Sequence, residues 1–297
     1  MTSLRLYLRA IRIKQWTKNL LLFVPLFLAH GFNNPEKMRL ASYAFLAFSL
    51  CASGIYILND LHDLEMDKNH PLKKHRPFAS GQLPVSVGYL TFPFMLLASL
   101  WISEFYLPPH FVRYLALYAI FAVLYSLYLK RLLVIDVLIL AGLYTLRLVA
   151  GGIATGVSLS PWLQAFSLFF FTSLAFMKRY SELKVTQQNA AIPFQGRGYT
   201  PADRELLASF GPTCGYLSVV VFTLYLNSKE VIALYQNPTV LLLIGPCLLY
   251  WISRIWFLAH RGSIEDDPIA FALKDPISYA VGMAVIVIML VAVGLPS

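Results

Sequence analysis

Three aspartates in one short run, Asp60, Asp63 and Asp67, are spaced i, i+3 and i+7. On an α-helix of 3.6 residues per turn they fall within about 60° of one another. Like charges placed so repel unless a cation sits among them. Magnesium takes one or two carboxylates and leaves its remaining positions for water and substrate phosphates. The pattern therefore points to a Mg²⁺–diphosphate site with Asp60, Asp63 and Asp67 as metal ligands. The set starts directly after the apolar pair Ile57-Leu58, and acids at such a boundary usually face a cavity. A solvated helix end is the plainer alternative. Lys73, Lys74 and Arg76 follow and suit phosphate oxygens, or serve simply as positive charge beside a membrane. The spacings of His62, His70 and His75 fit no usual zinc pattern.

A second charged stretch is Met177-Lys178-Arg179-Tyr180-Ser181-Glu182-Leu183. Lys178 and Glu182 are i, i+4, and Arg179 and Glu182 are i, i+3. Two readings stay open: an ion pair at a helix end, worth a few tenths of a kcal/mol, or a phosphate clamp with Arg179 bidentate and Glu182 orienting it. Arg147 lies in the middle of an apolar segment, where a charge is functional or paired with another helix; Asp136, about three turns earlier, is too far along the same helix. Thr200, Pro201 and Asp203 read as cap, N1 and N3 of a short helix. Arg197 and Tyr199, just before, either close over substrate or form a plain loop. Asp266 and Asp267 precede Pro268, and Asp267 reads as an N-cap.

The elements that must position these residues are membrane helices. Of 297 residues 58% are hydrophobic and 13% charged, with mean hydropathy +0.64; a soluble domain carries about 25% charged residues. About 20 apolar residues span a bilayer. Nine such segments are expected, near 16–33, 40–60, 87–105, 111–129, 132–151, 161–181, 210–227, 238–257 and 276–295. The fold class is thus all-α, a polytopic nine-helix bundle forming one integral-membrane domain over residues 1–297, with a cytoplasmic cap from the loops 61–86 and 182–209. Pro161, Pro238 and Pro276 suit helix starts, Asp275 an N-cap, and Gly151-Gly152 a helix end. With the N-terminus inside, nineteen Lys and Arg lie in inner segments and four in outer ones. That bias places the N-terminus and the acidic run in the cytoplasm of an inner (plasma) membrane protein. Of the 15 acids only Glu36, Glu104 and Glu230 fall outside. Most of the net charge of +9 then belongs to one membrane face, and no nucleic-acid partner is expected. The basic N-terminal arm precedes an uncleaved first helix, since no small-residue cleavage site follows. Cys51, Cys214 and Cys247 lie in apolar runs and read as packing residues. Trp16, Trp101, Trp162, Trp251 and Trp256 fall near segment ends and read as interfacial anchors.

The string NDLHDLEMDKNHPLKKHRPFASG, residues 59–81, resembles the first Asp-rich motif of the UbiA superfamily of membrane polyprenyl transferases. The resemblance implies Asn59, Asp60, Asp63 and Asp67 as the metal–diphosphate set. Most members carry a second Asp-rich motif after the sixth helix; this chain has the basic Lys178–Glu182 stretch there. That replacement resembles the decaprenyl-phosphate phosphoribosyltransferase branch. The likeness takes in the run from Arg12 to Asn19, Tyr125 to Arg131, Arg147 with Ala150-Gly151-Gly152, the stretch with Tyr180, and Asp266 to Asp275 including Lys274. It implies phosphoribosyl pyrophosphate as donor and a polyprenyl phosphate as acceptor. Three kinds of phosphate then need cations, and Lys14, Lys18, Lys73, Arg76, Lys130, Arg131, Lys178 and Arg179 supply them. Asp60, Asp63, Asp67 and Glu182 are the expected catalytic acids. A polyprenyl diphosphate-dependent aromatic prenyltransferase is the first alternative, but it needs a second carboxylate cluster where only Glu182 stands. A transporter would need ionisable residues along a midplane path and related halves, and no repeat of halves is visible.

Overall fold

The Asn34 side chain accepts hydrogen bonds from the amides of Glu36 and Lys37 at 3.0 and 3.1 Å. Pro35 follows at N1, so the cap and the proline start the long helix that ends on the acidic run. The computed structural model describes residues 3–71, 73–188, 198–264 and 267–294. Every regular element among them is helical. They divide into two compact units, one of Met1–Leu132 with Leu146–Ser158, the other of Leu133–Thr145 with Leu159–Ser297.

The first unit begins with α1 (Ser3–Ala10), a 3-10 helix over Ile13–Phe23 and the short α2 (Val24–Leu28). Then come α3 (Pro35–His62), α4 (Leu64–Lys68), α5 (Val85–Tyr106), α6 (Phe111–Leu127) and the second half of α7 (Ile135–Thr155). α3 packs on α5 and α6, with Phe48 against Phe111 and Tyr118 at ring distances of 5.8 and 5.0 Å. Its last turns bury Ile57 and Leu61 with Ala10, Phe78 and Leu83. That apolar cluster fixes the rotation of the helix end carrying the acids. The Gly151-Gly152 pair does not end α7, which runs on to Thr155. A Cβ at Gly151 would lie 2.2 Å from the Leu22 carbonyl oxygen, so glycine is there to let two backbones touch.

The second unit holds the start of α7, then α8 (Pro161–Gln188), α9 (Arg204–Leu226), α10 (Lys229–Leu234), α11 (Ile244–Arg261), α12 (Pro268–Ala272) and α13 (Pro276–Val293). α8 packs along α9, and α11 packs on α9, α8 and α13. Trp256 donates to Ser173 Oγ at 3.1 Å and Trp251 to Ser278 Oγ at 2.9 Å. Both rings are buried. They are core residues, not interfacial anchors; Trp101 and Trp162 are the exposed ones. The three cysteines are free thiols.

The expected count of nine spans is not confirmed among the described residues. Among the described residues six helices are long and apolar enough to cross a membrane: Pro35–His62, Val85–Tyr106, Ile135–Thr155, Pro201–Leu226, Pro238–Arg261 and Pro276–Val293. Phe111–Leu127 is apolar but shorter. The segment 16–33 is a 3-10 helix, one short α-helix and a second 3-10 turn over Gly31–Asn33, with Arg12 before it at φ 53° and His30 within it at φ 52°. α8 has the length but carries Gln164, Ser167, Thr172, Ser173, Lys178 and Arg179. Several long apolar helices make this a multi-pass membrane protein.

Candidate active site

α3 ends at His62, and Asp63 caps it at φ −86°, ψ 7° before α4 starts. The backbone ladder continues across the break, with the Asp63 amide on Asn59 O at 2.9 Å and the Asp67 amide on Asp63 O at 2.8 Å. Asp60 and Asp67, seven residues apart, therefore stay within about 20° of one another, while Asp63 is turned about 60° away. The side chains pair accordingly. One nitrogen of Arg76, Nη1, donates to Asp60 Oδ1 at 3.1 Å and to Asp67 Oδ2 at 2.6 Å. Arg12 Nη2 donates to the same Asp60 oxygen at 2.5 Å, and its guanidinium lies 4.9 Å over the Tyr56 ring. Asp63 faces Lys130, whose Nζ donates to its two oxygens at 3.2 and 2.9 Å. Asn59 Nδ2 donates to Asp63 Oδ2 at 3.1 Å, and its own Oδ1 lies 3.5 Å from Lys130 Nζ.

The three acids are 3%, 8% and 2% exposed in chain order. Buried carboxylates at this depth require cationic partners, and Arg12, Arg76 and Lys130 provide them. The cluster fits a hard cation by donor type, since it offers carboxylate and amide oxygens, and because Mg²⁺ needs only one or two carboxylates. Among the described residues, however, no group of three or more His, Cys, Asp or Glu side chains stands together at metal-ligand spacing. The two carboxylates that share an Arg76 nitrogen are the best-placed pair.

Elsewhere in this unit, Lys14 is exposed and Lys18 half-buried on the 3-10 helix, and Lys73 is exposed on another over Lys73–His75. Arg131 is exposed after α6, and Tyr125 is half-buried on it. Arg147 is buried: Nε donates to Asn19 Oδ1 and Nη2 to Tyr118 OH, both at 2.8 Å. Asn19 in turn donates to Ser49 Oγ at 3.0 Å. Arg147 thus ties the 3-10 helix, α3 and α6 to α7.

In the second unit Arg179 is fully buried. Its Nε donates to Asp136 Oδ2 at 2.5 Å and its Nη1 to Glu182 Oε2. Asp136, also fully buried, accepts from Tyr199 OH at 2.7 Å. The Tyr199 hydroxyl accepts from the Val134 amide at 3.0 Å, and Val134 sits at φ 64°, an unusual conformation for a β-branched residue. Burial first, then the bond to Asp136, pushes the Tyr199 phenol well above its ordinary value. The i, i+3 pair Arg179–Glu182 is formed, whereas Lys178 turns to Asp267 at 3.7 Å. Asp267 also caps α12 through the Ile269 amide. Tyr180 is buried, sharing a hydrogen bond with His260 Nδ1 at 3.0 Å. Lys274 is exposed. Arg197 and Asp266 lie outside the described residues.

Sequence reasoning did not pick out Arg12, Asp136 or Tyr199 as partners of these groups. Asp136 carried a usable signal: an acid in the first turn of an apolar helix requires a cation. Arg147 lies too far along the same helix, and the cation that meets Asp136 is Arg179 on α8.

A sequence model of the UbiA prenyltransferase family matches residues 20–274. The chain is 38% identical over 277 residues to an uncharacterized protein, y4nM, of Sinorhizobium fredii, covering 93% of this chain and 54% of that one. It therefore spans about half the length of that relative. It is 33% identical over 294 residues to the nodulation protein NoeC of Azorhizobium caulinodans, covering 97% and 92%. It is 34% identical over 281 residues to the decaprenyl-phosphate phosphoribosyltransferase of Mycolicibacterium smegmatis, covering 90% and 86%. A solved UbiA homologue from Archaeoglobus fulgidus, bound to DMAPP and Mg²⁺, shares the fold with TM-score 0.69 at 18% identity, over 94% of this chain and 98% of that one.

Proposed function

Because the chain belongs to the UbiA prenyltransferase family, we propose that it transfers 5-phosphoribosyl from phosphoribosyl pyrophosphate to a polyprenyl phosphate, releasing pyrophosphate. The observation that carries this reading is the pairing of each motif acid with a cation: Asp60 and Asp67 on Arg76, Asp60 on Arg12, Asp63 on Lys130. A lone diphosphate with its metal calls for carboxylates. A donor with a further 5-phosphate, and an acceptor that is itself a phosphate, call for arginines and lysines beside them. The name of the Mycolicibacterium smegmatis relative, a decaprenyl-phosphate phosphoribosyltransferase, supports the same transferred group and acceptor class.

Asp60 and Asp67, the best-placed pair, would hold Mg²⁺, with Asp63 facing Lys130 beside them; the metal named with the Archaeoglobus fulgidus homologue supports a divalent ion. When bound, that ion would stabilise charge on the leaving diphosphate. Arg12, Arg76 and Lys130 would exchange a carboxylate partner for phosphate oxygens and so orient the donor. The acceptor phosphate is already an anion, so no strong general base is required. Catalysis is then positioning and charge stabilisation. Lys178, held loosely by Asp267, is a further phosphate ligand in this scheme. Glu182, paired with Arg179, is proposed as a further catalytic acid on the family resemblance. We place the chain as one integral-membrane domain in the inner (plasma) membrane with the acidic run cytoplasmic, on the strength of the Lys and Arg bias.

The test incubates membranes containing the chain with phosphoribosyl pyrophosphate, Mg²⁺ and a polyprenyl phosphate. Parallel samples receive an aromatic acid and a polyprenyl diphosphate. Phosphoribosylated lipid in the first set is expected, and product only in the second set would overturn the assignment.

A further inference from the structure

The C-terminal half of α11 presents a surface that the proposed reaction does not use. Tyr250, Ser253, Arg254, Phe257, Leu258 and Arg261 line an open groove of about 430 Å³. Their spacing by three and four residues puts all six on one face of the helix. Tyr250 and Phe257 are exposed rings. Arg254 is fixed, with two of its five N–H donors on the Asp275 oxygens at 2.7 and 2.9 Å. Arg261 is exposed in the last turn, one residue before Gly262, whose φ of 84° ends the helix. The candidate membrane span Pro238–Arg261 ends on this arginine. The face therefore runs from aromatic side chains within the span to a guanidinium where a hydrocarbon core would give way to headgroups.

We propose that this groove binds one anionic phospholipid, with its phosphate on Arg261 and an acyl chain along Leu258, Phe257 and Tyr250. The C-terminal end of a helix carries partial negative charge and repels an anion. Lys184 Nζ donates to His260 O at that end, and Arg261 is the exposed cation in the groove lining itself. Inorganic phosphate would gain the guanidinium but not the apolar face. A zwitterionic lipid would gain the apolar face but bring its own cation to Arg261. A groove this open accommodates a headgroup and the upper part of a chain, and nothing in its lining calls for an isoprenoid. The site does not rest on the phosphoribosyl reading and stands or falls separately from it.

Native mass spectrometry of the purified full chain tests it, with phosphatidylglycerol and phosphatidylcholine offered in separate samples. The wild type is expected to retain one phosphatidylglycerol about fivefold more strongly than phosphatidylcholine, the preference one interfacial cation gives. Arg261→Gln is expected to lower phosphatidylglycerol to the phosphatidylcholine level, and Arg261→Lys to keep most of the preference. Melting of each variant in lipid-free detergent checks its folding. Equal retention of the two lipids by the wild type, or unchanged preference in a folded Arg261→Gln, would overturn the site. So would displacement of bound phosphatidylglycerol by inorganic phosphate alone or by an equimolar polyprenyl phosphate.

Discussion

Replacing Arg179 by Met removes a cation that is fully buried between two acids. Asp136 is left fully buried with its charge uncompensated, a situation that costs about 3–5 kcal/mol. Glu182 is 30% exposed and can turn to solvent, so it adds little. Asp136→Leu should cost a similar amount, because it strands the guanidinium instead. The double substitution Asp136→Leu/Arg179→Met restores an apolar pair. It loses chiefly the hydrogen bond from Tyr199, about 1 kcal/mol, and is expected to lie only about 1–2 kcal/mol below the parent. The two positions should therefore couple strongly, whereas independent sites add. Equilibrium denaturation of the purified chain in detergent, followed by helical circular dichroism, measures all four corners of the cycle. A single variant costing under about 1 kcal/mol, or single costs that simply add, would refute the buried-pair reasoning. Intact stability with a raised KM for phosphoribosyl pyrophosphate would assign Arg179 to phosphate instead.

Lys178→Ala should leave stability within about 0.5 kcal/mol, since its partner is 3.7 Å away, and should raise KM for phosphoribosyl pyrophosphate; an unchanged KM would reduce Lys178 to an ion-pair residue. Gly151→Ala gains helix propensity worth about 1 kcal/mol but drives a Cβ into the Leu22 backbone, so a net loss of about 1–3 kcal/mol is expected, and a melting temperature at or above the parent's would contradict the close approach. The hydrogen bond from Arg254, followed by those from Ser278, holds the Asp275 carboxyl below its usual range. Its contribution is therefore fully present above about pH 4 and is lost as the pH falls through the lower folded value. Asp275→Asn should flatten the acid limb of a stability–pH curve, and an unaltered limb would argue against the pairing.

Local chemistry was the most legible part of the sequence. Pro161 and Pro276 do begin helices and Pro238 a 3-10 turn. Asp275 and Asp267 cap through their side chains, and Thr200 with Asp203 forms the reciprocal capping box. Each of these depends on a few adjacent residues, so the signal lies within the segment. Asp60 and Asp67 were legible as neighbours because seven residues nearly close two helical turns. What failed needed information from elsewhere in the chain. Residues 16–33 are apolar enough for a span, but backbone turns at Arg12 and His30 leave no visible trace in hydropathy. Gly151-Gly152 looked like a helix end, and only the approach of Leu22 explains it. Trp251 and Trp256 sit near a segment end, yet serines on other helices draw them into the core. Asp136 and Arg179 are 43 residues apart, and no local period connects them.

The phosphoribosyl reading is tested most directly by the stoichiometry of one reaction. The purified chain is incubated with phosphoribosyl pyrophosphate, a polyprenyl phosphate and Mg²⁺, and released pyrophosphate is measured against lipid-linked phosphoribose. The account predicts equal amounts of the two, none without the lipid phosphate, and loss of both in folded Asp60→Asn and Asp67→Asn variants. Normal turnover by either variant, or pyrophosphate release from a polyprenyl diphosphate in its place, would contradict it.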